Sequence, residues 1–301
     1  MTNHKHLRVV IEDIYSNNNK LTEDLDLRLI NEFRYSNLYI PAKRDGFDLN
    51  FIIYEDDGLR LTPLFTDPDE FHKFFTDDDD DIELMQNSFE LYQNILKTTT
   101  IEGYILNPAT EKYVFSKEFI LDIKNPPKTN YYSPNTYTVG ELIGIKDSSN
   151  DELEQFISDS RNIGNYEALF EKFSKAHLLT LMVSDIDLTA KAEDGVISMM
   201  DSGPLAQMYT DNVGGVYATI FSSEDKLKYV KTDKFKYSQV INLSMLVNFV
   251  LSEDMDGIVL NPQSDNVLIS RTTLLKYSRG FEKFANDEKL SNSIYYMFLI
   301  E

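Results

Sequence analysis

Gly103-Tyr104-Ile105-Leu106-Asn107-Pro108 is matched further along the chain by Gly257-Ile258-Val259-Leu260-Asn261-Pro262. An acidic residue precedes each stretch, Glu102 and Asp256. A polar turn and then an apolar run follow each, Tyr113-Val114-Phe115-Ser116 and Val267-Leu268-Ile269-Ser270. The two Asn-Pro pairs lie 154 residues apart (261 − 107). Recurrence of one unit along a chain is the sequence signature of a repeated domain. The spacing predicts an α/β (α+β) protein made of two tandem repeats of one domain, each a mixed β-sheet flanked by helices.

Outward from the first stretch, Leu25 to Ser36 places Leu25, Leu29, Ile30 and Phe33 on one helical face. Short strands are expected at Leu38–Pro41, Asp48–Tyr54 and Leu59–Phe65, the last two separated by the turn Glu55-Asp56-Asp57-Gly58. A helical period follows at Phe71, Phe74 and Phe75, and another helix at Ser88 to Thr98. The second copy repeats the order. Tyr166–Lys175 is its first helix, Leu178–Val183 and Val216–Phe221 are strands, and Leu243–Leu251 is the helix before the hairpin. Phe33 aligns with Phe173 and Phe65 with Phe221, at spacings of 140 (173 − 33) and 156 (221 − 65). The drift places an insertion of sixteen residues (156 − 140) around Met199 to Asn212. The expected organisation is a polar lead-in at 1–24, a first copy at 25–122, a linker at 123–165, a second copy at 166–285 and a C-terminal strand at 286–301. The linker has room for a strand at Thr138 to Ile145 and a helix at Glu152 to Ile163. The apolar run Ile294 to Ile300 must be paired or covered, because an open edge of that kind aggregates.

Composition narrows the function. The 301 residues carry 29 Lys and Arg against 50 Asp and Glu, a formal charge of −21. Nucleic acids and anionic membrane surfaces reward basic patches, so neither is expected as a partner. There is no Cys, which removes disulfides, thiolate catalysis and Cys-based metal sites. His4, His6, His72 and His177 lack metal-ligand spacing, and His4 and His6 fall in a stretch expected to fray. The first residues lack the apolar stretch of a signal peptide, and no run approaches a membrane span, so the simplest expectation is a cytoplasmic protein. No P-loop, G-x-S-x-G elbow, H-E-x-x-H or G-x-G-x-x-G is present. No catalytic residue, cofactor or metal is expected.

The repeated motifs have structural readings. Asn107 and Asn261 precede Pro108 and Pro262, which suits the start of a turn, and Asn side chains bond their own backbone two residues on. Gly103 and Gly257 fit the left-handed cap that ends a helix. Leu64-Phe65-Thr66-Asp67 and Ile220-Phe221-Ser222-Ser223 end a strand and open a helix, with Thr66 or Asp67 and Ser222 or Ser223 as caps. A strand feeding a helix N-terminus also suits phosphate, but the carboxylates Asp69, Glu70, Glu224 and Asp225 would repel an anion there. Five consecutive aspartates, Asp77 to Asp81, lack the spacing of a calcium loop and read as a solvated segment. Asn242-Leu243-Ser244 matches a glycosylation sequon but abuts an apolar helix.

Tyr39-Ile40-Pro41, then Leu64-Phe65-Thr66-Asp67, then Gly103 to Pro108 and a closing apolar strand together resemble the N-terminal domain of the SseB family. The second copy resembles it less closely, with Leu179-Thr180-Leu181 lacking the equivalent of Pro41 and with Phe221-Ser222-Ser223. The resemblance implies an accessory or protein-interaction module that acts through an unidentified protein partner and has no established catalytic residues. The family motif then comprises Pro41, Phe65, Thr66, Gly103, Asn107, Pro108, Phe221, Ser222, Gly257, Asn261 and Pro262. The competing expectation is a ligand-binding or catalytic cleft between the repeats.

Overall fold

The computed structural model describes residues 4–46, 48–75, 81–124, 137–147, 149–162, 164–184, 187–189, 192, 195–198, 205–206, 208–230, 237–278 and 296–300. The class is α+β, and the chain divides into two units, Met1–Pro126 and Pro127–Glu301.

The first unit begins with two helices, α1 (Lys5–Ser16) and α2 (Glu23–Tyr35). Four strands follow: β1 (Tyr39–Asp45), β2 (Asp48–Phe51), β3 (Tyr54–Asp56) and β4 (Leu59–Leu64). Then come α3 (Pro68–Phe74), β5 (Ile82–Gln86), α4 (Phe89–Thr98), β6 (Gly103–Leu106), β7 (Tyr113–Ser116) and α5 (Lys117–Asp122). The strands form two sheets. One is antiparallel, in the order β2-β1-β5; the other is mixed, in the order β3-β4-β6-β7, with β4 and β6 parallel. They meet at one antiparallel bridge, Tyr39 to Phe65, whose two backbone bonds are both 2.8 Å. A core cluster among the described residues includes Phe33, Phe89, Tyr92, Tyr104 and Phe115. Phe33 stacks on Phe115 with ring centroids 4.1 Å apart. The Tyr92 and Tyr104 hydroxyls donate to the carbonyls of Leu38 and Tyr92, so both of these buried O–H groups are satisfied.

The second unit contains α6 (Val139–Lys146), α7 (Asp151–Ser158), α8 (Tyr166–Phe173) and β8 (Leu178–Val183). Next are β9 (Val196–Ser198), β10 (Leu205–Ala206), β11 (Met208–Thr210), β12 (Val216–Ile220), α9 (Glu224–Leu227) and β13 (Tyr237–Ile241). The rest is α10 (Leu243–Ser252), β14 (Gly257–Leu260), β15 (Val267–Ser270), α11 (Arg271–Ser278) and β16 (Tyr296–Leu299). The sheet β11-β12-β14-β15 has the strand order and pairing senses of β3-β4-β6-β7. A bridge from Leu179 to Phe221 joins it to the sheet β10-β8-β13-β16-β9. In both units Gly faces the strand to which it runs parallel at the same step, Leu61 to Gly103 and Tyr217 to Gly257.

Several sequence expectations are corrected. Within the lead-in at 1–24, Lys5–Ser16 is the helix α1, with Leu7, Val10, Ile11 and Ile14 buried at the i, i+3, i+4, i+7 spacing of an apolar stripe. His4 does not fray: it is 5% exposed, and its Nε2 lies 3.2 Å from the Asn37 carbonyl. Thr138 to Ile145 is helical as α6, because Thr138 and Glu141 form a reciprocal capping box. Within the linker range, α6 and α7 belong to the second unit and bury Leu142 and Leu153. The expected strand Asp48–Tyr54 splits at Ile52 and Ile53, where the chain passes from one sheet to the other. Each unit therefore holds two sheets rather than one. The C-terminal apolar strand is flanked on both sides, by β13 and β9. Among the described residues no helix is long and apolar enough to cross a membrane.

Candidate functional site

The glycines of the repeated motif do not cap helices. Helix α4 ends at Thr98 and α10 at Ser252, and Gly103 and Gly257 are the first residues of β6 and β14. A Cβ on Gly103 would lie 2.2 Å from the Phe115 carbonyl oxygen, and one on Gly257 would lie 2.1 Å from that of Ile269. Glycine is needed because the facing hairpin backbone passes too close for any side chain. The preceding acid closes the same corner. Glu102 Oε2 accepts from the Arg60 N–H at 2.9 Å, and Asp256 Oδ2 from the Val216 N–H at 2.7 Å. At the far end of the hairpin a cation reaches carbonyls around the end of the preceding helix. Lys117 Nζ donates to the Thr99 carbonyl at 3.3 Å, and the buried Arg271 donates to Val250 at 2.7 Å and Met255 at 2.9 Å.

The asparagines are buried and bond far along the chain rather than two residues on. Asn107 and Asn261 sit in the left-handed region, at φ of 42° and 50°, which Asn tolerates better than most residues. Asn107 Oδ1 accepts the Thr66 N–H at 3.0 Å, and its Nδ2 donates to Thr66 Oγ1 at 3.0 Å and to Glu111 Oε2 at 2.9 Å. Asn261 Oδ1 accepts the Ser222 N–H at 2.8 Å, and its Nδ2 donates to Ser222 Oγ at 2.9 Å and to Asp265 Oδ2 at 2.8 Å. Each asparagine thus ties the end of one strand to the hairpin turn that follows its parallel neighbour. Asp67, not Thr66, caps α3 by accepting from Glu70 N at 3.0 Å. Neither Ser222 nor Ser223 makes a side-chain cap to α9.

The two joints then diverge in charge. In the first unit Arg8 of α1 lies 2.6 Å from Glu111, 3.4 Å from Glu70 and 3.8 Å from Asp67. Lys73 also reaches Glu70, at 2.6 Å, and the Thr110 hydroxyl lies 2.6 Å from its other oxygen. In the second unit the position on α7 matching Arg8 is Glu154, which accepts from Ser222 Oγ at 2.8 Å. The position matching Glu70 is Lys226, which pairs with Asp265 at 2.8 Å. The helix matching is anchored at its start. His4 before α1 lies against the carbonyl of Asn37, and Asn150 before α7 donates to the carbonyl of His177 at 2.6 Å. Burial works against ionisation of Glu111, but hydrogen bonds from Thr110 and Asn107 and the Arg8 charge outweigh it and hold the carboxyl below its ordinary range. Asp265 is depressed in the same way, burial being overcome by Lys226 and Asn261. Lys226 is raised by its bond to Asp265 and by the charges of Asp265 and Glu154.

Two carboxylates sharing a threonine hydroxyl, Glu70 and Glu111, are the arrangement most like an acid–base pair among the described residues. Their oxygens are occupied by Lys73, Arg8, Asn107 and Thr110, so the chemistry on view is that of an ion-paired joint. The remaining motif residues sit within the scaffold. Pro41 lies in β1 opposite Leu84, and its carbonyl faces Ile52 just past the end of the β2 ladder, where a missing N–H costs nothing. Phe65 and Phe221 are fully buried at the inter-sheet bridges, and Pro108 and Pro262 follow the left-handed asparagines. Asn242, in the discounted sequon, is buried and caps α10 through Met245 N at 2.9 Å. Residues 76–80 of the acidic run lie outside the described residues; Asp81 pairs with Lys43 at 2.8 Å. A cleft of about 310 Å³ beside α7 is lined by Asn150, Asp151, Glu152, Lys172 and Lys175, and Lys172 is paired with Glu152 at 2.8 Å. No group of acidic or His residues among those described is arranged to hold a metal. Sequence reading missed Arg8, Glu70, Glu111, Glu154, Lys226 and Asp265 as members of the joints. The available signal was the Glu111/Asp265 pair, each four residues past its asparagine.

Compared with protein-family models, with curated proteins and with solved structures, the chain matches none.

Proposed function

We propose that the chain is a tandem pair of SseB-type domains that acts by binding a protein partner rather than by catalysis. One observation carries this reading. The buried joint is repeated with its asparagine, hydroxyl and acid kept and its helix charges inverted, from Arg8 and Glu70 to Glu154 and Lys226. A reaction centre would not keep its chemistry through such an inversion, because acid, base and electrostatic roles all depend on sign. A joint that holds a helix against a hairpin tolerates it freely.

The partner is a protein and not a nucleic acid, since a chain of formal charge −21 repels phosphate backbones. The hairpins present half-exposed apolar residues at matching positions, Val114 on β7 and Leu268 on β15. The test is crosslinked recovery of the full chain from its own cells, beside a thermal-shift screen against small metabolites. A stoichiometric protein partner that is lost on Val114→Glu or Leu268→Glu supports the reading. Saturable stabilisation by a metabolite, abolished by Glu111→Gln in a protein that stays folded, overturns it.

A further inference from the structure

We infer that the inverted charges are a docking code, which makes α1 close only the first unit and α7 only the second. The inference rests on the reading that the two units are copies of one domain.

The two docking sites are otherwise alike. Each helix enters beside the carbonyl that precedes the first strand, Asn37 for α1 and His177 for α7. Each lies against the next helix with an apolar stripe at the same spacing, Leu7, Val10 and Ile11 on α1 and Leu153, Phe156 and Ile157 on α7. Each then sets one charged side chain on the asparagine joint. Hydrophobic contact has no direction and would accept either helix on either site. Repeated domains in one chain misassemble by exchanging such elements.

Charge breaks the degeneracy. On the first unit, Glu154 of a wrongly docked α7 would join Asp67, Glu70 and Glu111, a fourth carboxylate at a site already one cation short. On the second unit, Arg8 of a wrongly docked α1 would meet the ammonium of Lys226 and share with it the carboxylate Asp265, in place of the three carboxylates Asp67, Glu70 and Glu111 of its own site. Like charges forced together in a partly buried site are disfavoured, and discrimination of this kind comes from the penalty on the wrong pair as much as from the right one.

Zero-length carbodiimide coupling is the reporter, because it joins only a carboxylate and an amine already in contact. The full chain is refolded from urea at low concentration and then coupled. Arg8→Lys sets the baseline and should couple position 8 to Glu70 or Glu111. The exchanged chain, Arg8→Glu with Glu154→Lys, should couple position 8 to Lys226 and position 154 to Glu70 or Glu111, within or between molecules. Those products should exceed by roughly tenfold the own-site couplings of the same chain, position 8 to Lys73 and position 154 to Asp265. Their absence in a folded exchanged chain overturns the inference. If that chain does not fold, Glu154→Lys alone is read. Coupling of position 154 to Glu70 or Glu111 supports the code, and coupling confined to the second unit, or none, refutes it. An experimental structure of the unchanged chain separates the premises. Units that do not overlay remove the copy reading, whereas units that overlay while the coupling stays put remove only the code.

Discussion

Replacing Gly103 with Ala tests the hairpin packing directly. The new Cβ would lie 2.2 Å from the Phe115 carbonyl oxygen and 3.2 Å from its carbon. Carbon and oxygen do not approach within 3.0 Å, so the strands must part by about 0.8 Å (3.0 − 2.2). The obstacle is backbone and has no rotamer to escape into. Strand β6 is also fixed on its other side, where Gly103 pairs with Leu61 of β4, so the shift must disturb one ladder or the other. Overpacking a closed core costs about 1–3 kcal/mol, and a backbone obstacle between two ladders belongs at the top of that range. Three kcal/mol is about two powers of ten in the unfolding constant. At roughly 2–8 °C per kcal/mol for domains of this size, the melting temperature of the first unit should fall by about 10 °C. The assay is urea and thermal unfolding, with Gly144→Ala as the control. Gly144 lies on α6 with nothing within 4 Å of its Cβ position, so alanine there should stabilise the second unit by about 0.5–1 kcal/mol. If Gly103→Ala unfolds like the unchanged protein, the β6–β7 register is wrong and the glycine has another role.

Other outcomes follow from the same geometry. Gly257→Ala should cost more than Gly103→Ala, because its Cβ would lie 2.1 Å from the Ile269 carbonyl oxygen and its φ of +149° strains an L-residue; paired urea melts give the order. Asn107→Ala should destabilise the first unit by about 1–3 kcal/mol, since it strands the buried Thr66 N–H, and a smaller loss in denaturant titration would show that the bond is dispensable. Arg271→Ala should cost about 3 kcal/mol in the second unit by leaving buried carbonyls at the end of α10 unpartnered, with Arg271→Lys recovering part of it. Glu111 is depressed below its ordinary value of 4.5, so the folded state binds fewer protons than the unfolded one. Its contribution is complete above that value and disappears as pH falls through the lower folded value. Urea midpoints measured from about pH 6 to pH 3 should drop in this window and flatten with Glu111→Gln.

Local sequence carried the elements whose apolar residues share one face. Phe89, Tyr92, Ile95 and Leu96 announce α4, and Leu25, Leu29 and Phe33 announce α2, because side-chain periodicity follows directly from backbone geometry. Helix α1 was equally legible at Leu7, Val10, Ile11 and Ile14, but its charged outer face masked it. The strand β5 at Ile82 to Gln86 lies directly after five aspartates that obscure its pattern, and α6 reads as a strand because β-branched residues interrupt a helix that its capping box nevertheless starts.

What the sequence determined by itself was the repeated order: Phe before a hydroxyl, then Gly, then Asn-Pro and a closing strand. Why those residues are needed was decided by tertiary structure. Gly103 is glycine because of a carbonyl at Phe115, and Asn107 is asparagine because of a backbone N–H at Thr66. Arg8 belongs to the same joint only because α1 folds back onto α3 and the hairpin turn. Periodicity is a property of neighbours along the chain and can be read from it. Steric clearance, buried hydrogen bonds and charge pairing are properties of neighbours in space, and they exist only once the sheets have closed and water has been excluded between them.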